Sequence, residues 1–171
     1  ASIALLVSCA NFSAYFNTFY NAKEQFERAE VIRKKSDSNQ LPKTALDLYQ
    51  SSIEKSKYIL TEYPEVRFRK EAYLLIVKSH FFKSEFIETN QALSAMSLEF
   101  GNEIMSEIRY WTALVKWKEG RIQPAINSLI DLSEDDISKE AIIDSEYLLI
   151  EGYLVTSDKT KNVAKYCLDI A

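Results

Sequence analysis

The sequence predicts an all-α fold, a solenoid of about four antiparallel helical hairpins. Three observations carry this expectation. Glycine and proline are scarce, three of each in 171 residues, where average usage gives roughly 20 of the two together. Sandwiches, barrels and glycine-cradled nucleotide sites all need turn residues in quantity. Apolar residues recur at helical spacing along most of the chain, and no segment alternates with period two between turns. Small residues also recur at long intervals inside the helical stretches, the mark of an internal repeat. Hydrophobic residues make up 47% and charged residues 27%, and the length suits one domain with a real core. Ten Tyr and nine Phe supply rings to pack between helices.

The elements follow in order. From Asn11 to about Lys35, Tyr15, Phe19, Ala22, Phe26 and Ala29 form one apolar stripe at steps of four and three. Residues 36–42 are a polar joint. A second helix from Lys43 carries Leu46, Tyr49, Ile53, Leu60 and Tyr63, and Pro64 stops it. A third runs from about Arg67 to Lys83 with Ala72, Leu75, Ile76, Ser79 and Phe82 on one stripe. Ser84 is the expected N-cap of a fourth, which ends near Gly101. A fifth, from about Asn102 to Glu119, runs through Ile104, Ile108, Trp111 and Val115, and Gly120 closes it. The sixth starts near Arg121, with Pro124 in its first turn, and ends by Leu132. An acidic loop follows, Ser133 to Asp136. Ser138 is the expected N-cap of a seventh helix whose one face is Ala141, Ser145, Leu148, Leu149 and Gly152. Thr156-Ser157-Asp158 makes a turn into an eighth helix. The hairpins span about 11–64, 67–101, 102–132 and 138–171. Leu168 to Ala171 carry no stop signal, so the natural protein is expected to continue.

Thirty-six residues relate the third and fourth helices to the fifth and sixth. Ser84 then falls on Gly120, Val77 on Ala113, Thr89 on Ala125 and Leu93 on Leu129. A further 39 residues place Ala113 on Gly152 and Ala125 on Ala164. A glycine inside a helix costs about 1 kcal/mol relative to Ala, and close approach of a neighbouring helix explains it at Gly152. A non-repetitive bundle would show the stripes but not these coincident small positions.

The first residues read differently. Ala1 to Val7 is a short apolar run, too short to span a bilayer, followed by Ser8 and Cys9. It matches the end of a secretory signal peptide, so residues 1–8 are expected to be removed. Leu6-Val7-Ser8-Cys9 resembles the bacterial lipobox, which implies lipidation at Cys9 and anchoring to the membrane. The alternative is an apolar first turn with a core cysteine. The chain starts without Met or a basic region, so it is expected to be cut short at that end as well.

Net charge is −4 and the pI about 5.2, which disfavours nucleic acid as a partner. Arg33-Lys34-Lys35 and Arg67, Arg69 and Lys70 read as solvated helix faces. No Cys/His cluster has metal-ligand spacing, so no metal or other cofactor is expected. Cys167 reads as a small buried apolar side chain, and His80, among aromatics, as a packing residue. No nucleophile elbow, phosphate loop or metal-binding helix motif is present. Asp135 with Asp136, and Asp144 with Glu146, sit where acidic residues serve helix starts and loops. No catalytic residue and no small-molecule substrate is expected.

The small residues Ala113, Gly152, Ala125 and Ala164, with Gly120 before a second helix and Pro64 closing one, resemble the tetratricopeptide repeat. Val77, Ser84 and Thr89 depart from that pattern. Together with the lipobox, the stretch Tyr15-Phe16-Asn17-Thr18-Phe19-Tyr20-Asn21-Ala22-Lys23-Glu24-Gln25-Phe26 resembles the opening helix of bacterial tetratricopeptide lipoproteins of the BamD family. That family has about five repeats and works in outer-membrane β-barrel assembly. The resemblance implies a scaffold at the periplasmic face of the outer membrane. Its implied partners are the β-barrel assembly core protein and unfolded outer-membrane proteins. Ala10 after the cysteine is compatible with outer-membrane sorting. A tetratricopeptide lipoprotein serving as a pilus or secretion pilotin, or as a cell-wall coordinator, shares these features. Stacked hairpins offer a groove for peptides. Tyr73, His80, Tyr110, Trp117 and Tyr147 are the candidate partner-binding residues, with packing between repeats as the alternative for each. Tyr110 and Trp117, seven apart, form the best pair.

Overall fold

A computed structural model describes residues 2–36, 40–63, 67–130, 132 and 137–155, with side chains from residue 16 onward. The described residues form helices α1 (Ser2–Lys35), α2 (Lys43–Glu62), α3 (Arg69–Phe82), α4 (Phe86–Phe100), α5 (Met105–Lys118), α6 (Ile122–Leu129) and α7 (Lys139–Val155), with a 3-10 turn at Gly101–Ile104 before α5. No strand occurs among them. The fold is all-α and built of helical hairpins, with neighbouring helices packed on one another from α1 to α3 and from α5 to α7. Two compact units divide the chain, Ala1–Ala92 and Leu93–Ala171.

In the first unit α1 packs along α2 and α2 along α3, and α1 also meets α3. The core holds Ala29, Ala45 and Tyr49, walled by Phe26, Ile32, Leu41, Leu48 and Phe82. The α1 stripe is where its spacing puts it, with Ala22 and Ala29 fully buried. The helix starts at Ser2 rather than Asn11; Tyr15 lies outside the described side chains. The expected face of α2 is corrected in part, with Tyr49 and Ile53 buried as expected. Its buried residues are Ala45, Tyr49, Ser52, Ile53, Ser56 and Ile59, while Leu46, Leu60 and Tyr63 are only half-buried. Packed between α1 and α3, the helix buries Ala45, Ser52 and Ser56 beside Tyr49, Ile53 and Ile59, since small residues let helix axes approach. For the same reason α3 buries more than one stripe: Ala72, Leu75, Ile76, Val77, Ser79, His80 and Phe81 are all inside.

Ser84 is not an N-cap. It sits at φ 62°, just past the end of α3, with its N–H donating to Phe81 O at 2.9 Å while Glu85 N–H donates to His80 O at 2.9 Å. That pair of bonds is a Schellman motif. Gly120 (φ 75°) repeats it: its N–H donates to Trp117 O and Arg121 N–H donates to Lys116 O, both at 2.9 Å. The two turns are 36 residues apart. Val77 and Ala113, Thr89 and Ala125, and Leu93 and Leu129 are each buried alike. Thr89 takes the place of an alanine because its Oγ1 donates to Glu85 O at 2.8 Å, which satisfies the hydroxyl.

In the second unit α5 packs on α6 and α6 on α7. Pro124 lies in the first turn of α6 as expected, and the helix ends at Leu129 rather than Leu132 because Ile130 is extended (ψ 138°). Ser138 caps α7, its Oγ accepting Ala141 N–H at 3.2 Å. The inner face of α7 is Ala141, Ser145, Leu149 and Gly152. A Cβ at Gly152 would stand 2.8 Å from Ile126 Cγ1 and Cδ1 and 3.2 Å from Trp117 Cζ3, so the glycine marks a close helix contact. Pro64, the acidic loop at 133–136, the turn at 156–158, the eighth helix and Cys167 lie outside the described residues.

Candidate functional site

A groove of about 220 Å³ opens between α1 and α3 of the first unit. Phe19 and Phe26 of α1 and Leu74 and Leu75 of α3 supply its apolar lining, and Lys23, Glu27, Glu71 and Lys78 its charges. On α1, Phe19, Lys23, Phe26 and Glu27 recur at three and four, so one helix face reaches the groove. On α3, Glu71, Leu74, Leu75 and Lys78 do the same. Lys23 pairs with Glu27 at 3.7 Å on the surface. Phe19 stacks on Phe68 with ring centroids 4.8 Å apart.

Ionic clamps lie on the helices beside the groove. Arg33 forks onto Glu30 with two bonds of 2.8 Å, the Tyr49 hydroxyl donates to the same carboxylate, and the Arg33 guanidinium lies 4.2 Å over the Phe82 ring. Burial opposes ionisation of Glu30, but Arg33 and Tyr49 outweigh it and hold the carboxyl below its usual range. Burial and the neighbouring Glu30 charge push the Tyr49 phenol up. This cluster ties α1 to α2 and to the end of α3. At the next joint His80 Nδ1 lies 2.6 Å from Glu85 Oε2, and Lys83 bridges Glu85 Oε1 at 2.8 Å and Gln50 Oε1 at 2.7 Å.

The five aromatic and histidine candidates fall in both units, Tyr73 and His80 in the first and Tyr110, Trp117 and Tyr147 in the second. His80 is buried against Glu85. Tyr110 is buried and its hydroxyl donates to Asp144 Oδ2 of α7 at 2.7 Å, and burial with that carboxylate pushes its phenol up. Trp117 closes on Gly152 of α7. Tyr110 and Trp117 therefore share a face, as their spacing requires, but that face meets α7. Tyr73 is half-buried, and Tyr147 stands open to solvent at 70%. The sequence reading missed the groove residues Lys23, Glu27, Glu71, Leu74 and Lys78. Each helix shows its own stripe, but the pairing of two stripes across a groove leaves no periodic signal in either.

The groove is smaller than the roughly 300–1,000 Å³ of small-molecule sites. It suits one or two side chains of an incoming segment. Among the described residues no three His, Cys, Asp or Glu side chains gather where they could hold a metal ion, and no helix is long and apolar enough to cross a membrane. Cys9 falls within α1, ahead of the described side chains.

No family model, no curated protein and no solved structure matches the chain.

Proposed function

We propose that the protein is a lipid-anchored periplasmic scaffold that binds protein partners in outer-membrane β-barrel assembly. The observation that carries the binding reading is the α1–α3 groove, with apolar lining and both signs of charge around it. Such a surface takes an apolar side chain for affinity and uses charges for orientation. The lipobox-like residues before Cys9 and the BamD-like opening helix support the anchor and the outer-membrane location. The implied partners are the β-barrel assembly core protein and unfolded outer-membrane proteins.

Leu74 is the groove residue to change, since it is half-buried and its loss spares the core. Leu74→Glu should abolish retention of protein partners from envelope extract while keeping the helical circular dichroism of the unaltered chain. Equal retention by both proteins would remove the groove from the account. Depletion separates the pathways: barrel proteins fall if the assembly reading holds, whereas failed pilus or secretion assembly with normal barrels sinks it.

A further inference from the structure

One end of the first unit gathers aromatic rings and cations from three helices. The Phe68 ring, just ahead of α3, stacks on Phe19 and meets Phe16 of α1, with centroids 4.8 and 6.3 Å apart. Arg69 Nη1 donates to Leu60 O of α2 at 2.9 Å, and Tyr63 packs edge-on against Tyr58 at 6.0 Å. The start of α3, the last turns of α2 and the level of Phe16 on α1 therefore lie together. Tyr20 (61% exposed), Tyr58 (51%) and Phe16 (42%) stand open around this end. The exposed Arg67 lies 4.8 Å over the Phe68 ring, and Arg69 and Lys70 follow in the first turn of α3. Cations at a helix start work against its dipole, so helix stability does not account for them.

We propose that this end of the first unit seats on the headgroup surface of a phospholipid membrane. The inference goes beyond the anchor reading and needs no acylation. Tyrosines suit that position, because the ring body is apolar and the hydroxyl stays wet. Arg67, Arg69 and Lys70 meet the lipid phosphates. From Cys9 to Ala22 the chain carries no charged residue. Cys9 precedes Phe16 by about 10 Å along α1, which puts the proposed anchor at the same end. An acidic peptide is a poorer occupant. Glu62, Glu65 and Glu71 flank the cations and would repel it, whereas phospholipid headgroups offer an ammonium beside the phosphate. Without acyl chains such a contact is reversible and screened by salt, so the patch orients the protein and the chains hold it.

The test uses the full chain with Cys9→Ser, which cannot be acylated, sedimented with vesicles of mixed phosphatidylglycerol and phosphatidylethanolamine. The chain should bind at low salt and release at high salt. Arg67→Gln with Lys70→Gln should weaken binding on the order of tenfold or more, and Tyr20→Ser with Tyr58→Ser should weaken it several-fold. None of these four positions is buried, so the helical circular dichroism should stay as it is. Lys34→Gln with Lys35→Gln removes the same charge from exposed positions at the other end of α1 and should leave binding unchanged. No vesicle binding, or equal weakening by the two charge pairs, would overturn the proposal. Retention on immobilised polyglutamate without vesicle binding would overturn it too, and give the patch to an acidic peptide. With no acyl chain present, the outcome is separate from that of the lipid-anchor reading.

Discussion

Ser52, Ser56 and Ser79 are buried completely and their hydroxyls have no hydrogen-bond partner. A buried hydroxyl without a partner keeps its desolvation cost and returns nothing. Their value lies in size, so alanine should serve as well. Ser56→Ala is expected to raise stability by up to about 1 kcal/mol, read as a higher urea midpoint at unchanged slope; a lower midpoint would mean the hydroxyl is bonded. Gly152→Ala runs the other way. Alanine's better helix propensity is worth about 1 kcal/mol, but its Cβ meets fully buried Ile126 at 2.8 Å, and overpacking costs typically about 1–3 kcal/mol. We expect a net loss of stability that Ile126→Val partly restores; additive losses in the double variant would contradict the contact. Glu30 sets an acid limit. Its carboxyl is held below the ordinary 4.5, so its contribution is present above that value and is lost as pH falls through the lower folded-state value. Glu30→Gln should flatten the fall in stability below pH 4.5, measured by thermal melts across the acid range.

At the scale of elements, the joints decide more than the helix interiors. Ser84 and Gly120 hold the same left-handed turn, yet only glycine adopts it without cost. Ser84→Gly should stabilise by about 1 kcal/mol, and Gly120→Ser, with open space around it, should destabilise by a similar amount. Opposite signs in the two melting temperatures check the shared geometry. Much at this scale was legible. The stripe from Phe19 to Ala29, Pro124 in the first turn of α6, the Ser138 cap and the glycine at 152 all follow from local rules and stand where those rules put them. The turn at Ser84 is not legible in its residue type, because serine by itself favours N-caps, and the left-handed turn comes with the bonds to His80 and Phe81. The α2 face is legible only at Tyr49 and Ile53, because a helix packed on both sides buries Ala45, Ser52 and Ser56 in preference to Leu46 and Leu60.

At the scale of the whole molecule, the candidate site was the least legible part. Its residues come from α1 and α3, far apart in the sequence, and nothing in either stripe announces the other. The aromatic pair Tyr110 and Trp117 meets α7, at Asp144 and Gly152. The proposed anchor at Cys9 is separable from the groove. Several acyl chains hold a protein on a membrane stably where one does so marginally, so Cys9→Ala should move the protein from the membrane to the soluble fraction, and unchanged fractionation would remove the lipoprotein reading. The central claim is that the α1–α3 groove holds a protein segment. The most direct measurement places a photo-crosslinking residue at Glu71 on the groove and, as control, at Glu54, an exposed residue of α2 bonded to Gln50. Illumination of intact envelopes should give a discrete protein adduct from position 71 and none from position 54. No adduct at 71, or the same pattern at both positions, would contradict it.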